Sequence, residues 1–277
     1  MRAVLSDCAR LGRIEAVLSA LSADDLKFLT YDWPVFAHSH QLPPETDWAV
    51  WLLMGGRGAG KTRGGAEWIR ARALGHGWCE PGFAGRIALV GETYADVREV
   101  MVEGVSGLLA VHPAGERPQW TPSRRRLEWP NGAVAQTFSA EDPEALRGPQ
   151  FDIAWCDELA KWTYAEETFD MLQFGLRLGR KPRQLITTTP RPVPLLKRLM
   201  KQAGTAITHA PTKANALFLA PGFLEAVVGR YGGTRLGRQE LDGELIDDRP
   251  DALWSRDGLE AARVAAAPEG LTRIVIA

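Results

Sequence analysis

Residues 55–62 read GGRGAGKT, and the sequence changes character on either side of this stretch. The stretch fits the pattern G-x-x-x-x-G-K-[ST], in which small residues let backbone N–H groups close around phosphate oxygens. Before it, WAVWLLM at 48–54 is a continuous apolar run, as expected for a strand buried on both faces. After it, residues 62–74 are typical of a helix that ends near Gly75. A strand, a phosphate-binding loop and a helix in this order predict a nucleotide-binding α/β domain.

The composition is that of an ordinary globular protein, with 45% hydrophobic and 24% charged residues among 277. Lys and Arg number 33 against 34 Asp and Glu, so contact with nucleic acid would require a local basic face. The three cysteines have no metal-binding spacing. The N-terminus does not read as a signal peptide, and the longest apolar run is too short to cross a bilayer. We therefore expect a cytoplasmic protein with no membrane partner.

Strands and helices alternate along the middle of the chain. Three more strands are predicted at 86–91 (RIALVG), 151–156 (FDIAWC) and 184–189 (QLITTT). Helices are predicted at 97–109 and 165–178. Strands that alternate with helices indicate a mainly parallel sheet with right-handed crossovers.

Three other stretches have their own patterns. Residues 6–29 carry a helical apolar rhythm. Residues 117–138 alternate between polar and apolar, and Pro-Asn-Gly at 130–132 supplies a tight turn, so a hairpin is predicted there. After Pro190 the stretch to Asp248 reads as helical and polar, and we interpret it as a lid subdomain.

The chemistry is predicted from the loop and a carboxylate pair. Lys61 would reach the terminal phosphates, and Thr62 would offer its hydroxyl to Mg²⁺. Asp157 follows a buried strand and would bind the same ion through water, while Glu158 would polarise the attacking water. Without the loop, such a pair would more simply be a solvated strand end. The nucleotide-binding residues are Gly55, Gly56, Arg57, Gly58, Ala59, Gly60, Lys61 and Thr62.

These features predict an ATPase with ATP and Mg²⁺ as cofactors. The expected fold is an α/β fold of the P-loop NTPase class (ASCE or RecA-like), with a mainly parallel sheet flanked by helices and a small helical lid subdomain.

Four stretches at 55–69, 146–162, 175–192 and 231–245 together resemble the large terminase subunit of tailed phages and phage-like gene transfer agents. That subunit is the motor that drives DNA into the procapsid. The resemblance extends from about Asp32 to the end of the chain, and the motifs occur in the family's order.

The resemblance implies roles for two arginines. Arg57 matches the arginine that terminases carry inside the phosphate loop, where a guanidinium can follow the γ-phosphate. The alternative is a surface arginine held by a local carboxylate. Arg147 matches the arginine that family members supply to a neighbour's active site, and such a finger raises the rate roughly 10³-fold or more. The alternative is a structural loop arginine.

The resemblance also implies roles for threonines and a glutamine. Thr187, Thr188 and Thr189 match a coupling motif whose hydroxyls sense hydrolysis, although an ordinary β-branched strand would look the same. Gln41 resembles the glutamine that reads the adenine edge, with Trp33 or Pro34 lining that pocket. A surface glutamine is the alternative for Gln41.

A motor that moves any sequence requires phosphate contacts without base reading. Solvated surface charge is the alternative for every basic cluster. The candidate DNA contacts fall in three clusters: Arg124, Arg125 and Arg126; Arg177, Arg180, Lys181 and Arg183; Lys197, Arg198 and Lys201.

The expected partners are those of the family: sequence-independent double-stranded DNA, the portal protein and the small terminase subunit. We expect a homo-oligomeric ring, a pentamer, when the protein is on the portal, and a monomer in isolation. The expected location is the cytoplasm of a bacterial host, with transient attachment to the procapsid portal.

The predicted organisation has four parts: an N-terminal helical segment at 1–30, an ATPase core at 31–190, a lid at 191–250, and at 251–277 a linker with the start of a nuclease domain. LTRIVIA at 271–277 resembles the opening strand of the family's nuclease domain. We therefore expect an isolated motor domain that hydrolyses ATP and does not cleave DNA.

Two other functions fit parts of the sequence. A helicase-like translocase also carries an Asp-Glu pair and a threonine motif, but it usually needs a second RecA-like domain, which is not apparent after residue 189. A nucleotide-binding assembly protein would use ATP only to set its oligomeric state. Turnover that vanishes in Glu158→Gln while ATP binding persists would exclude this second alternative.

Overall fold

The computed structural model describes residues 1–79, 82–247, 254 and 256–263. Its centre is an eight-stranded sheet with strand order β3-β4-β5-β2-β6-β7-β1-β8. The six strands from β5 to β8 in this order pair in parallel, while β3 and β4 pair antiparallel at one edge. The strands are β1 Val50–Gly55, β2 Arg86–Gly91, β3 Gln119–Thr121, β4 Arg126–Glu128, β5 Val134–Ser139, β6 Ile153–Asp157, β7 Arg183–Thr188 and β8 Thr205–Ala210.

Helices precede, connect and follow these strands. The helices are α1 Arg2–Arg10, α2 Ile14–Ser19, α3 Ala23–Tyr31, α4 Trp33–Phe36, α5 Lys61–Leu74, α6 Tyr94–Asp96, α7 Leu108–Val111, α8 Ala165–Gly175, α9 Pro194–Lys201, α10 Pro221–Tyr231, α11 Arg235–Glu240 and α12 Arg256–Ala261. Within the described ranges, no helix combines the length and apolar character needed to cross a membrane.

Most of the predicted elements are confirmed. The apolar runs at 48–54, 86–91, 151–156 and 184–189 form β1, β2, β6 and β7. The predicted hairpin is formed by β4 and β5, and β3 extends it by one more antiparallel strand. Helix α5 ends where predicted, because Gly75 adopts a left-handed conformation with φ of 76°.

The prediction of one helix at 97–109 is wrong in part. Val97–Val102 is a π-helical segment that continues from α6, and only Leu108–Val111 returns to an α-helix. The chain turns tightly between them. A Cβ atom on Gly104 would lie 2.6 Å from the carbonyl oxygen of Val100, and one on Gly107 would lie 2.8 Å from that of Val102. A regular helix through both glycines is therefore replaced by a close backbone turn.

The prediction that 191–248 is helical throughout is wrong at β8. This strand pairs in parallel with β1 and forms one edge of the main sheet. Its sequence, TAITHA, is short and half polar, as befits an edge strand with only part of its surface buried. The flanking sequence has a helical pattern, and for this reason the strand was not predicted. The proposed boundary of a lid at 191 stays a prediction, and residues 271–277 lie outside the described residues.

The core consists of two layers, one on each face of the sheet. On one face, Trp51 and Trp155 pack with Trp68 of α5. On the other face, Leu52 packs with residues of α8 and α9. Helix α5 approaches the sheet very closely, since a Cβ atom on Gly65 would lie 2.3 Å from the indole ring of Trp155. This contact fixes the start of α5 relative to the end of β6.

Candidate active site

Three adjacent parallel strands bring the predicted residues to one edge of the sheet. Strand β7 lies between β1 and β6, with Met54 opposite Thr188 and Asp157 opposite Thr187. Because the carboxyl ends of parallel strands share an edge, the phosphate-binding loop, the carboxylate pair and the threonines meet there. A cavity of about 840 Å³ opens at this point, and its lining includes Lys61, Thr62, Glu158 and Thr189.

The glycine loop has a left-handed backbone at two positions. Gly58 and Gly60 have φ of 75° and 82°, a conformation that other residues rarely adopt. Lys61 begins α5 directly after Gly60, so the N-terminus of this helix lies at the end of the loop. The outer side of the loop is packed against the C-terminal part of the chain, since a Cβ atom on Gly56 would lie 2.1 Å from the carbonyl oxygen of Leu241.

Lys61 is buried and held at the centre of the site. Its Nζ atom donates to the carbonyl oxygens of Gly55 and Gly56 and to Oγ1 of Thr189, each at 3.1 Å. It also lies 3.7 Å from Oε1 of Glu158. Burial lowers the pKa of Lys61, and the charges of Glu158 and Asp157 oppose this shift only in part. An anion bound between these groups would stabilise the charged lysine.

The two neighbouring carboxylates, Asp157 and Glu158, have different surroundings. Asp157 is buried at the end of β6, and burial together with the charge of Glu158 raises its pKa. Glu158 adopts a left-handed backbone conformation with φ of 50°, which is unusual for a non-glycine residue. Its Oε2 atom accepts a hydrogen bond of 3.1 Å from the backbone N–H of Thr189. The turn therefore directs the Glu158 carboxylate into the cavity, while Asp157 stays against the sheet.

Each of the three threonine hydroxyls has a specific partner. Thr187 accepts from Nε1 of Trp155 at 2.8 Å and donates to Oδ1 of Asp157. Thr188 accepts from the backbone N–H of Ala160 at 3.1 Å. Thr189 accepts from Lys61. The hydroxyls thus link β7 to Asp157 at the end of β6 and to Lys61 at the start of α5. Their role in coupling stays a prediction.

Arg57 and Arg147 both lie in ion pairs. The Nε atom of Arg57 donates to Oε2 of Glu240 at 2.5 Å, and this bond together with the charge of Glu240 raises the pKa of Arg57. Arg57 also lines the cavity. Arg147 is 71% exposed, pairs with Glu144 at 3.2 Å and does not line the cavity. The γ-phosphate role of Arg57 and the finger role of Arg147 both stay predictions.

Gln41, which precedes the glycine loop in the chain, is hydrogen-bonded to it. It is buried, its Nε2 atom donates to the carbonyl oxygen of Gly60 at 2.9 Å, and its Oε1 atom accepts from the backbone N–H of His38 at 2.9 Å. It is therefore not a surface glutamine. Gln41 lines the cavity together with Trp33, and its reading of adenine stays a prediction.

The three basic clusters differ in position and pairing. Lys181 and Arg183 pair with Asp47, at the amino ends of the parallel strands. In the third cluster, Lys197 and Arg198 also pair with carboxylates. In the first cluster, Arg126 pairs with Glu128 at 2.6 Å and Arg124 with the same carboxylate at 3.9 Å, while Arg125 lies over the ring of Tyr94; Arg124 and Arg125 are exposed in the turn before β4. This turn lies at the carboxyl end of β5, the same edge as the phosphate-binding loop.

The residues lining the cavity that sequence reasoning missed include Arg191, Asn215 and Glu240. Asn215 donates from Nδ2 to the carbonyl oxygen of Gly58 at 2.7 Å and accepts from Nε2 of His38 at 3.1 Å. The position of Arg191 two residues after the last of the three threonines was the available signal. Nothing local in the sequence connects Asn215 or Glu240 to a loop so far away along the chain.

The sheet order and the convergence of these residues define an ATPase domain fold of the RecA-like ASCE class, which confirms the predicted fold class. The chain belongs to the family described as terminase large subunit, T4likevirus-type, N-terminal, whose sequence profile matches residues 52–261. The predicted resemblance to large terminases is thereby confirmed. No curated protein sequence matches the chain significantly.

Solved structures of large terminases share the fold. The ATPase domain from Thermus phage P74-26 is 17% identical with a TM-score of 0.57, and the match covers 79% of this chain and 98% of that one. A large terminase from another thermophilic bacteriophage is 16% identical with a TM-score of 0.58, covering 81% and 53%. That of bacteriophage HK97 is 15% identical with a TM-score of 0.52, covering 72% and 47%. The chain thus spans about half the length of the last two proteins.

Proposed function

We propose that this chain is the ATPase motor domain of a DNA-packaging terminase and couples ATP hydrolysis to translocation of double-stranded DNA into a procapsid. The observation that carries the proposal is the geometry around Lys61. Its amine lies between the loop carbonyls, Thr189 and Glu158 at the mouth of a cavity. Related large terminases have been solved in complex with ADP and with ATP-γ-S.

The cavity is built to take a nucleoside triphosphate. Loop N–H groups and the N-terminus of α5 would hold the phosphates, with Lys61 against the terminal one. The aromatic side chains of Trp33, Phe36 and Phe218 line the other part of the cavity and offer surfaces for a base. Gln41 would contact the base while it braces the loop.

Thr62 and Asp157 would hold Mg²⁺. Thr62 lines the cavity and its hydroxyl makes no hydrogen bond with the described part of the chain, and Asp157 contributes a buried carboxylate at the end of β6. Oxygen donors of this kind are those that Mg²⁺ prefers, so the residues fit the ion. When bound, the ion would neutralise charge on the phosphate oxygens.

Glu158 would act as the general base. Its carboxylate is held by the backbone N–H of Thr189 and directed into the cavity, where it can accept a proton from the attacking water. Loss of the γ-phosphate would remove the anion that Lys61 faces. The hydrogen bond between Lys61 and Thr189 offers a direct route from this event to β7.

The DNA contact is proposed at the turn that carries Arg124 and Arg125. Of the three basic clusters, this is the one whose exposed arginines lie at the same sheet edge as the nucleotide cavity. A contact that needs only phosphate charge suits a motor indifferent to sequence. The further partners proposed are the portal protein, the small terminase subunit and other copies of this chain in a ring. Arg147 would reach the neighbour's site, and the protein would act in the host cytoplasm on the portal of a phage or gene transfer agent.

The proposal is tested by ATP hydrolysis and binding in matched variants. Glu158→Gln should bind ATP but turn over at least about 10²-fold more slowly, because the base is removed and the phosphate grip is kept. Lys61→Ala should lose both binding and turnover. Double-stranded DNA should stimulate the wild-type rate, and an Arg124→Gln, Arg125→Gln double variant should lose this stimulation but keep its basal rate. Wild-type protein that binds no ATP would refute the proposal.

A further inference from the structure

Arg191 occupies a position in the cavity that no motif assigned to it. It follows β7 by three residues, after Thr189, which contacts both Lys61 and Glu158, and after the buried Pro190. The proline ring restricts the backbone at this point, so the direction of the chain that leaves the site is constrained. Arg191 itself is partly exposed and lines the cavity.

The Arg191 guanidinium has no counter-ion among the described residues that would hold it in place. Neither a hydrogen bond nor an ion pair joins its side chain to the described part of the chain. Arg57, which also lines the cavity, is hydrogen-bonded to Glu240, and Arg147 is paired with Glu144 outside the cavity. The positive charge of Arg191 reaches Glu240 only through space and contributes to lowering the pKa of that carboxyl.

Arg191 and the buried Lys61 line the same cavity, and Arg191 has no anionic partner among the described residues. Lys61 and Arg191 are both cationic, and Glu158 is the only carboxylate that contacts Lys61 within the described residues. The negative charge of an anion bound in the cavity would be stabilised by both cations, and the planar guanidinium suits phosphate oxygens in particular.

We propose that Arg191 is a catalytic residue that contacts the terminal phosphate of the nucleoside triphosphate bound to its own chain. The inference rests on the proposed function of the cavity as a nucleotide site. In the reaction, the oxygen of water bonds to the γ-phosphorus, the bond from that phosphorus to the β–γ bridging oxygen breaks, and Glu158 accepts the proton. Arg191 stabilises the charge on the γ-phosphoryl oxygens during this exchange. ADP has no γ-phosphate, so Arg191 distinguishes the substrate from the product.

The proposal makes Arg191 different from a residue that merely supports the fold. Its loss should leave ADP affinity unchanged, since ADP does not reach it, and should weaken binding of a triphosphate analogue. Its contribution should be greatest in the transition state, so kcat should fall more than KM rises.

The experiment compares Arg191→Gln and Arg191→Lys with Arg86→Gln, an exposed arginine at the start of β2 on the opposite sheet edge. ATP turnover is measured together with calorimetric binding of ADP and of ATP-γ-S, and thermal unfolding monitors the fold. Arg191→Gln is expected to lower kcat by about 10²–10³-fold and ATP-γ-S affinity by about tenfold, with ADP affinity unchanged. Arg191→Lys should recover part of the rate, and Arg86→Gln should behave as wild type.

Mixing separates action within a chain from action between chains. Arg191→Gln mixed with Glu158→Gln should stay inactive, because each chain would lack a residue of its own site. Recovery of turnover in the mixture would overturn the proposal, as would a kcat of Arg191→Gln within about threefold of wild type. Equal losses of ADP and ATP-γ-S affinity would also overturn it. Different results would refute the proposed function itself: a wild-type protein that does not hydrolyse ATP, or a Lys61→Ala variant that hydrolyses it equally well.

Discussion

Replacing Thr187 by Val tests the hydrogen-bond network behind the carboxylate pair. The Thr187 side chain is fully buried, accepts from the indole N–H of Trp155 at 2.8 Å and donates to Asp157. The hydroxyl also lies 3.3 Å from the carbonyl oxygen of Cys156, a weaker acceptor than Asp157. Valine has nearly the same volume, so no cavity forms and only the hydrogen bonds of the hydroxyl are lost. Each buried polar group left without a partner costs about 1–3 kcal/mol. Thr187→Val should therefore lower the free energy of unfolding by about 2–5 kcal/mol.

A matched control is available in α8. The Thr168 side chain is equally buried, but its hydroxyl makes a single hydrogen bond, to the carbonyl oxygen of Ala140 at 3.1 Å. Thr168→Val should cost about 1 kcal/mol. Both variants are measured by urea unfolding, followed by tryptophan fluorescence. A thermal scan should separate them as well, since 1 kcal/mol corresponds to about 2–4 °C in a protein of this size.

A double-mutant cycle with Trp155→Phe identifies the indole as one of the two partners. Once the indole N–H is absent, losing the Thr187 hydroxyl should cost about 1–2 kcal/mol less than in the wild type. The half-maximal Mg²⁺ concentration for ATP hydrolysis should also rise in Thr187→Val, because Asp157 loses the donor that orients it. Additive costs in the cycle, or a Thr187→Val variant as stable as Thr168→Val, would refute the reasoning.

The remaining predictions concern a buried histidine, a close glycine and an ion pair. Burial lowers the pKa of His112 from 6.5 to about 4. As the pH falls, the unfolded chain therefore binds a proton at this histidine before the folded chain does. Between pH 7 and pH 4 the wild type should lose about 3 kcal/mol more unfolding free energy than His112→Gln, measured by urea titration at each pH. Gly56→Ala should destabilise the fold by about 1–3 kcal/mol because its Cβ meets a backbone carbonyl at 2.1 Å, whereas Gly115→Ala has open space and should be neutral in a thermal scan. Glu240→Gln removes the ion-pair partner of Arg57, and we expect the ATP affinity measured by calorimetry to change. An unchanged affinity would show that this pair does not restrain the loop.

His112 and Trp129 form a buried polar pair that sequence reasoning did not predict. Trp129 donates from Nε1 to Nε2 of His112 at 2.8 Å, and His112 donates from Nδ1 to the carbonyl oxygen of Leu108. The pair fixes a neutral tautomer inside the core. The two residues are 17 positions apart, and neither carries a motif, so only their packing shows that the histidine is structural.

The glycine loop after β1 and the four central strands could be predicted because their signals are local. A glycine pattern that closes around phosphate and apolar runs that fill a parallel sheet depend on neighbouring residues alone. The β4–β5 hairpin followed from its turn residues in the same way. Strand β8 could not be predicted, because an edge strand has half-polar sequence and its partner β1 lies far away along the chain.

What the amino-acid sequence alone determined is which residues stand at the ends of β1 and β6: a lysine and a threonine after a glycine loop, and two carboxylates at the end of a buried strand. Only the tertiary structure decided which groups surround them. Arg57 meets Glu240, Asn215 meets Gly58, and Arg191 enters the cavity without a partner among the described residues. The physical reason is that these contacts join segments far apart in the chain, whose approach depends on the packing of the whole sheet rather than on any local pattern.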